Sequence, residues 1–208
     1  MERMLINVQA IVQDVAAIRR NKLVYTLLTV FILFTLLIKL CPVITLWDKA
    51  LIIFIQECTK NIPIWIAELP DCKLYTLMII LPLLLGSFYF FYKKMYKNIL
   101  FLCSIPLVTF LFNCIIKPLI QRARPPYELQ FEIHPESFSY VSSHTLVTTC
   151  LWGIVIYFLN KYCTNRILRN LGILFSIIWI LFVGISRIWL GVHYPTDVIG
   201  AYLLSSII

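Results

Sequence analysis

Charge is what this 208-residue chain has least of: 13% of its residues are charged, 61% are hydrophobic, and the mean hydropathy is +0.88. A soluble domain is nearer half apolar, so the composition excludes an ordinary water-soluble globule and places the chain in a bilayer. Acid is scarcer still, with 10 Asp and Glu against 18 Lys and Arg. A basic balance can mark a nucleic-acid binder. Here the cations fall in short clusters between long apolar runs, as topology signals do, and no nucleic-acid partner is expected. The seven cysteines are odd in number and lack metal-type spacing. Cys103, Cys114 and Cys150 lie inside apolar runs as small hydrophobes. Cys41, Cys58 and Cys72 share one connecting segment, where a disulfide between two of them stays open. No internal repeat or low-complexity stretch divides the chain. Nor is a cleavable signal peptide expected in residues 1–22, because no small-residue cleavage site accompanies the apolar run.

What is present is a series of apolar runs. Leu5, Val8, Ile11, Val12, Val15 and Ile18 recur at helical spacing, which suggests an amphipathic surface helix within residues 1–22; a partly ordered tail is the alternative. Spans are expected at roughly 23–40, 74–92, 98–116, 145–160 and 170–185, with a sixth starting near Pro195 and still running at Ile208. The fold class is therefore all-α, a polytopic six-helix transmembrane bundle over 23–208 behind an amphipathic N-terminal segment. The last run is too short to cross the hydrocarbon core, and a truncated chain is expected rather than a helix ending inside the bundle. Leu46 to Ile55 is interrupted by Asp48 and Lys49 and reads as an interfacial segment, with Trp47 and Trp65 at headgroup level.

Charge then orients the bundle. Arg3, Arg19, Arg20, Lys22, Lys93, Lys94, Lys97, Lys161, Arg166 and Arg169 fall on one side, where Glu2 and Asp14 are the only acids. The positive-inside rule puts that side and both termini in the cytoplasm, and loops 41–73, 117–144 and 186–197 outside.

Those outer loops hold the candidates for chemistry. The stretch from Ser186 to Asp197 reads SRIWLGVHYPTD. Ionisable side chains beside hydrocarbon are costly, so such a cluster points to function. If a helix begins near Pro195, His193 and Asp197 stack one turn apart. The carboxylate would then hold the imidazole in one tautomer and raise its nucleophilicity, making His193 the reacting group. Lys117 and Arg124 lie seven apart in KPLIQRARP, with Arg122 between them, and Arg187 lies in the last stretch. Several cations facing one small space suit a phosphate. Ser142, Ser143 and His144 precede an apolar run, where free helix N–H groups bind anions and Ser142 can cap. Arg122 either assists the phosphate or pairs with Glu128. Glu128, Glu132 and Glu136 read as a solvated face, and His134 as a surface histidine. Trp152, Trp179 and Trp189 read as lipid-facing or interfacial filler. No second cluster of His or carboxylate stands nearby to hold Mg²⁺ or Zn²⁺, so no metal or cofactor is expected.

At this point the chain resembles the type-2 phosphatidic-acid phosphatase and vanadium haloperoxidase superfamily. Lys117, six residues and Arg124-Pro125 match its first motif. Ser186-Arg187, five residues, His193, three residues and Asp197 match its third. The second, normally Pro-Ser-Gly-His, here reads Val141-Ser142-Ser143-His144. The resemblance covers roughly 98–208 and implies a lipid phosphatase. In that chemistry His193, oriented by Asp197, forms a phosphohistidine; His144 protonates the leaving oxygen and later activates water. It also implies that Lys117, Arg124, Arg187 and Ser142, with the Ser143 N–H, hold the phosphoryl oxygens. The site would open at the periplasmic face of a bacterial inner membrane. The implied substrates are lipid A phosphates, polyprenyl pyrophosphate, phosphatidylglycerol phosphate or phosphatidic acid, with no obligatory protein partner. A lipid-to-lipid phosphotransferase and a non-catalytic anionic-lipid binder are the alternatives. Ser143 can replace the usual glycine if its φ is negative.

Overall fold

The computed structural model of the protein describes the backbone of residues 2–131 and 136–208, with side chains from residue 21 onward. Among the described residues there are eight α-helices and no strand: α1 (Glu2–Leu40), α2 (Pro42–Thr59), α3 (Trp65–Glu68), α4 (Lys73–Tyr92), α5 (Tyr96–Ile120), α6 (Ser143–Tyr162), α7 (Arg166–Trp189) and α8 (Pro195–Ser205). Among the described residues five segments are long and apolar enough to span a membrane, not the six expected: Asn21–Leu40 of α1, and α4, α5, α6 and α7; the run expected to continue from Pro195 through Ile208 is the 11-residue α8, which ends at Ser205. The chain is an all-helical, multi-pass membrane protein. Its outward side chains are apolar, with Leu33, Leu84, Phe88, Leu100 and Ile115 exposed. Such a surface suits lipid, and a helix satisfies most of its backbone groups within itself, as a spanning segment must.

Helix α6 is the central element, packed against α4, α5, α7 and α8, while α1 lies on α8 and α2. The main core lies where α1, α5, α6 and α8 meet, around Leu102, Ile105, Leu146, Leu151 and Leu204. Tyr140 crosses it to share a 2.8 Å hydrogen bond with Thr35 of α1. Its ring lies against α8 at Gly200, where a Cβ would come within 2.5 Å of the ring.

Several expected boundaries move. Helix α1 runs unbroken where a surface helix and a separate span were expected; the amphipathic face over residues 1–20 lies outside the described side chains. The apolar run from Leu46 to Ile55 belongs to a longer helix, α2, entered through Pro42 at its first turn, a position where the missing proline N–H costs nothing. Helix α5 continues through Lys117-Pro118 to Ile120, and Gln121, in the left-handed region at φ 55°, ends it. One proline removes one backbone bond; where no water replaces the others, the helix carries on. Helix α7 extends past residue 185 because Ser186 and Arg187 find partners within the protein. Trp152, Trp179 and Trp189 are buried, not lipid-facing, each filling a gap between elements. All seven cysteines are free thiols; Cys150 is buried, while Cys103 and Cys114 are exposed on the helical surface.

Candidate active site

Three segments distant in sequence converge at one end of the bundle: α2–α3 with the turn before α4, the connection from α5 to α6, and the turn from α7 to α8. The last turn is built around Gly191. Its φ of 69° suits glycine, and a Cβ there would run into the Leu129 carbonyl oxygen. Arg187 O accepts the N–H groups of Val192 and His193 at 3.2 and 3.3 Å, so the chain folds back against α7 before α8 begins. Helix α8 starts at Pro195, as the sequence predicts. Asp197 caps it: Oδ2 accepts the Tyr194 N–H at 2.9 Å.

His193 and Asp197 thereby meet. His193 is 3% exposed and Asp197 fully buried, with Nδ1 and Oδ2 3.4 Å apart. On the other side of the ring, Arg124 Nη1 lies 3.3 Å from Nε2. A guanidinium can only donate, so Nε2 holds a lone pair and the ring proton sits on Nδ1, towards Asp197. Burial pushes the His193 pKa down to about 3; Asp197 pulls it up, and Arg124 and Lys117 add to the depression. This favours the neutral imidazole at physiological pH, with the Nε2 lone pair turned to Arg124.

The cations divide into two kinds. Arg122 is matched. It donates to Asp197 Oδ1 at 2.5 Å, Asp48 Oδ2 at 2.6 Å and Thr196 Oγ1 at 2.8 Å, and stacks 4.2 Å over the Tyr194 ring. Burial opposes its charge, but Asp197 and Asp48 more than offset this and its pKa is raised. It pairs with neither Glu128 nor an open space. Arg187, 2% exposed, is matched by Asp71 at 2.5 Å. By contrast, Lys117 and Arg124 have no carboxylate partner among the described residues. Lys117 donates to Phe138 O at 2.5 Å. Arg124 holds Ser137 O, Ser137 Oγ and Val192 O at 2.7, 3.0 and 2.6 Å. A cavity of about 360 Å³ opens beside Arg124 along the loop that follows α5; neither His144 nor His193 lines it.

His144, at the start of α6, has its ring 4.7 Å from that of Tyr75, and its Nε2 lies 3.4 Å from Asp71 Oδ1. That same oxygen binds Arg187. Ser143 opens α6 with negative φ, so the glycine of the usual motif is not needed here for its conformation. The N–H groups of Ser143, His144 and Thr145 have no hydrogen-bond partner among the described residues. Ser142 stands at the N-cap position, but its Oγ makes no capping bond; it accepts from Thr145 Oγ1 at 3.0 Å, and its N–H reaches Asp197 O at 3.3 Å. Ser143 Oγ donates to Asn113 Oδ1 at 3.2 Å.

Asp48, Asp71, Ser139 and Thr196 were not singled out by sequence. Asp48 is 3% exposed and accepts the Thr196 N–H at 3.1 Å besides Arg122, tying α2 to the start of α8. Ser139 donates to Asp197 Oδ2. Glu132 and His134 lie outside the described residues.

A buried imidazole–carboxylate pair thus lies beside two cations that have no carboxylate partner among the described residues, at one end of a helical membrane bundle. The PAP2 superfamily matches residues 98–208, and the chain belongs to that family. Phosphatidylglycerophosphatase B of Bacillus subtilis (strain 168) is 35% identical over 129 residues, covering 60% of this chain and 62% of that protein, short of two thirds of its length. A crystal structure described as the first transmembrane PAP2 type phosphatidylglycerolphosphate phosphatase from Bacillus subtilis matches with a TM-score of 0.70. The two chains are 25% identical, and the match covers 88% of this chain and 90% of that one.

Proposed function

We propose that this protein is a lipid phosphatase that hydrolyses a phosphate mono- or diphosphate ester of a membrane lipid through a phosphohistidine on His193. The observation that carries the reading is the buried His193–Asp197 pair with the Arg124 guanidinium at Nε2. An entering phosphoryl group takes the place of the Arg124 contact and keeps Arg124 as its own ligand. Lys117 and Arg124 bring charge that has no carboxylate partner among the described residues, and the N–H groups at the start of α6 add donors. Nε2 bonds to phosphorus as the bond to the lipid oxygen breaks, and His144 gives that oxygen its proton. Water then attacks phosphorus, losing a proton to His144, and inorganic phosphate leaves with the Nε2–phosphorus bond broken. Phosphatidylglycerol phosphate is the first substrate to try, since the relatives named above carry that activity in their names. The distribution of Lys and Arg favours a site on the outer face of the membrane.

The test is phosphate release in detergent with EDTA present, from phosphatidylglycerol phosphate, phosphatidic acid and polyprenyl pyrophosphate, for wild type and His193→Ala. Release by wild type alone supports the reading. Release that requires an added divalent ion, or that persists in His193→Ala, overturns it.

A further inference from the structure

At the end of the bundle opposite His193, a groove of about 910 Å³ runs between α4, α5 and α6 to the start of α7. Leu85, Val155 and Phe158 line it, and Lys93 and Asn165 stand at its mouth. Along α4 it extends from Leu81 to Lys93, roughly 18 Å at 1.5 Å per residue. One leaflet contributes about half of a hydrocarbon core ~30 Å thick, so the groove spans one leaflet. Around the mouth, segments 88–100 and 157–170 contain Lys93, Lys94, Lys97, Lys161, Arg166 and Arg169, with no Asp or Glu. None of these cations forms an ion pair among the described residues. Lys161 is turned onto Tyr157 Oη at 2.9 Å, while Lys93 lines the groove with its Nζ 5.6 Å from the centre of the exposed Tyr92 ring.

An apolar trench in a bilayer gains nothing by exchanging one lipid tail for another, so by itself it selects no lipid. A cation at the mouth does select, because its field favours an anionic head. We propose that the groove is a binding site for an anionic glycerophospholipid of the leaflet opposite the candidate active site, one acyl chain in the trench and the phosphate at Lys93. No residue of the candidate active site lines it, so this site stands apart from the phosphatase reading.

The experiment is native mass spectrometry of the detergent-purified protein given equal amounts of phosphatidylglycerol and phosphatidylcholine with matched chains. Wild type should retain one phosphatidylglycerol with a preference of about fivefold. Lys93→Ala, a surface change, should erase the preference, and Val155→Trp, which fills the trench, should reduce retention of either lipid. Arg124→Ala should leave the preference intact. Equal retention of both lipids by wild type would overturn the proposal. So would a preference that survives Lys93→Ala, or one that disappears with Arg124→Ala, which would move the lipid to the other end of the bundle.

Discussion

Replacing Arg122 by Leu separates two roles that a cation in this site can play. Its side chain sits between Asp48 and Asp197, 9% exposed, with contacts of 2.6 and 2.5 Å. Removing it leaves two buried carboxylates facing one another without a counter-charge. Breaking a buried pair in this way costs about 3–5 kcal/mol. For a domain of this size that is a fall in Tm of roughly 6–20 °C. Asp48→Asn alone keeps the volume and most hydrogen bonds, and should cost less, about 1–3 kcal/mol. In the double variant Arg122→Leu/Asp48→Asn, one of the two stranded charges is gone, so its loss should fall short of the sum of the single losses. Thermal unfolding in detergent gives the stabilities, and phosphate release gives kcat and KM beside them. Because Asp197 orients His193, kcat should fall in Arg122→Leu with KM little changed. Wild-type stability in Arg122→Leu, with a raised KM and strictly additive losses, would show that Arg122 binds substrate and would refute the clamp.

Other outcomes follow from the same geometry. His193, held near pKa 3 when folded against 6.5 ordinarily, is neutral in the fold while the unfolded chain takes up a proton. Its contribution to stability is full above the unfolded value and is lost as pH falls towards the folded one, by up to about 1.4 kcal/mol per pH unit. Unfolding of wild type and His193→Gln followed from neutral pH to about pH 4.5 should converge at that rate; parallel curves would contradict it. Arg124→Lys keeps the charge but loses the bonds to Ser137 and Val192. It should lower kcat/KM by roughly 10²–10³, and near-wild-type kinetics would remove Arg124 from the site. Gly191→Ala puts a Cβ at φ 69° against the Leu129 carbonyl. It should cost at least about 1 kcal/mol in unfolding and, by displacing His193, about a hundredfold in kcat; an unchanged rate would show that the turn does not set the His193 position.

Much of the fold was legible because a bilayer leaves few choices: long apolar runs bounded by basic clusters read directly as spanning helices. The end of α8's preceding turn was legible too, since Pro195 and the four-residue step from His193 to Asp197 are local. Helix ends were harder. Lys117, Ser186 and Arg187 read as boundaries, yet a polar residue stops a membrane helix only when it lacks a partner, and these have Phe138 O, Val183 O and Asp71. The partners themselves were invisible for the same reason. Asp48 lies 74 residues from Arg122, and Asp71 116 residues from Arg187, separations at which no spacing argument operates. Asp48 did carry one signal. It is an acid inside an apolar run, and the cost that drew attention to His193 and Asp197 applies to it equally.

The most direct test of the His193 nucleophile is the stereochemistry at phosphorus. An isotopically chiral thiophosphate analogue of the lipid substrate would be hydrolysed in isotopically labelled water and the released thiophosphate analysed for its configuration. Attack by Nε2 followed by attack of water inverts phosphorus twice, so the product should show net retention. Net inversion would mean a single direct attack by water, with His193 never bonded to phosphorus.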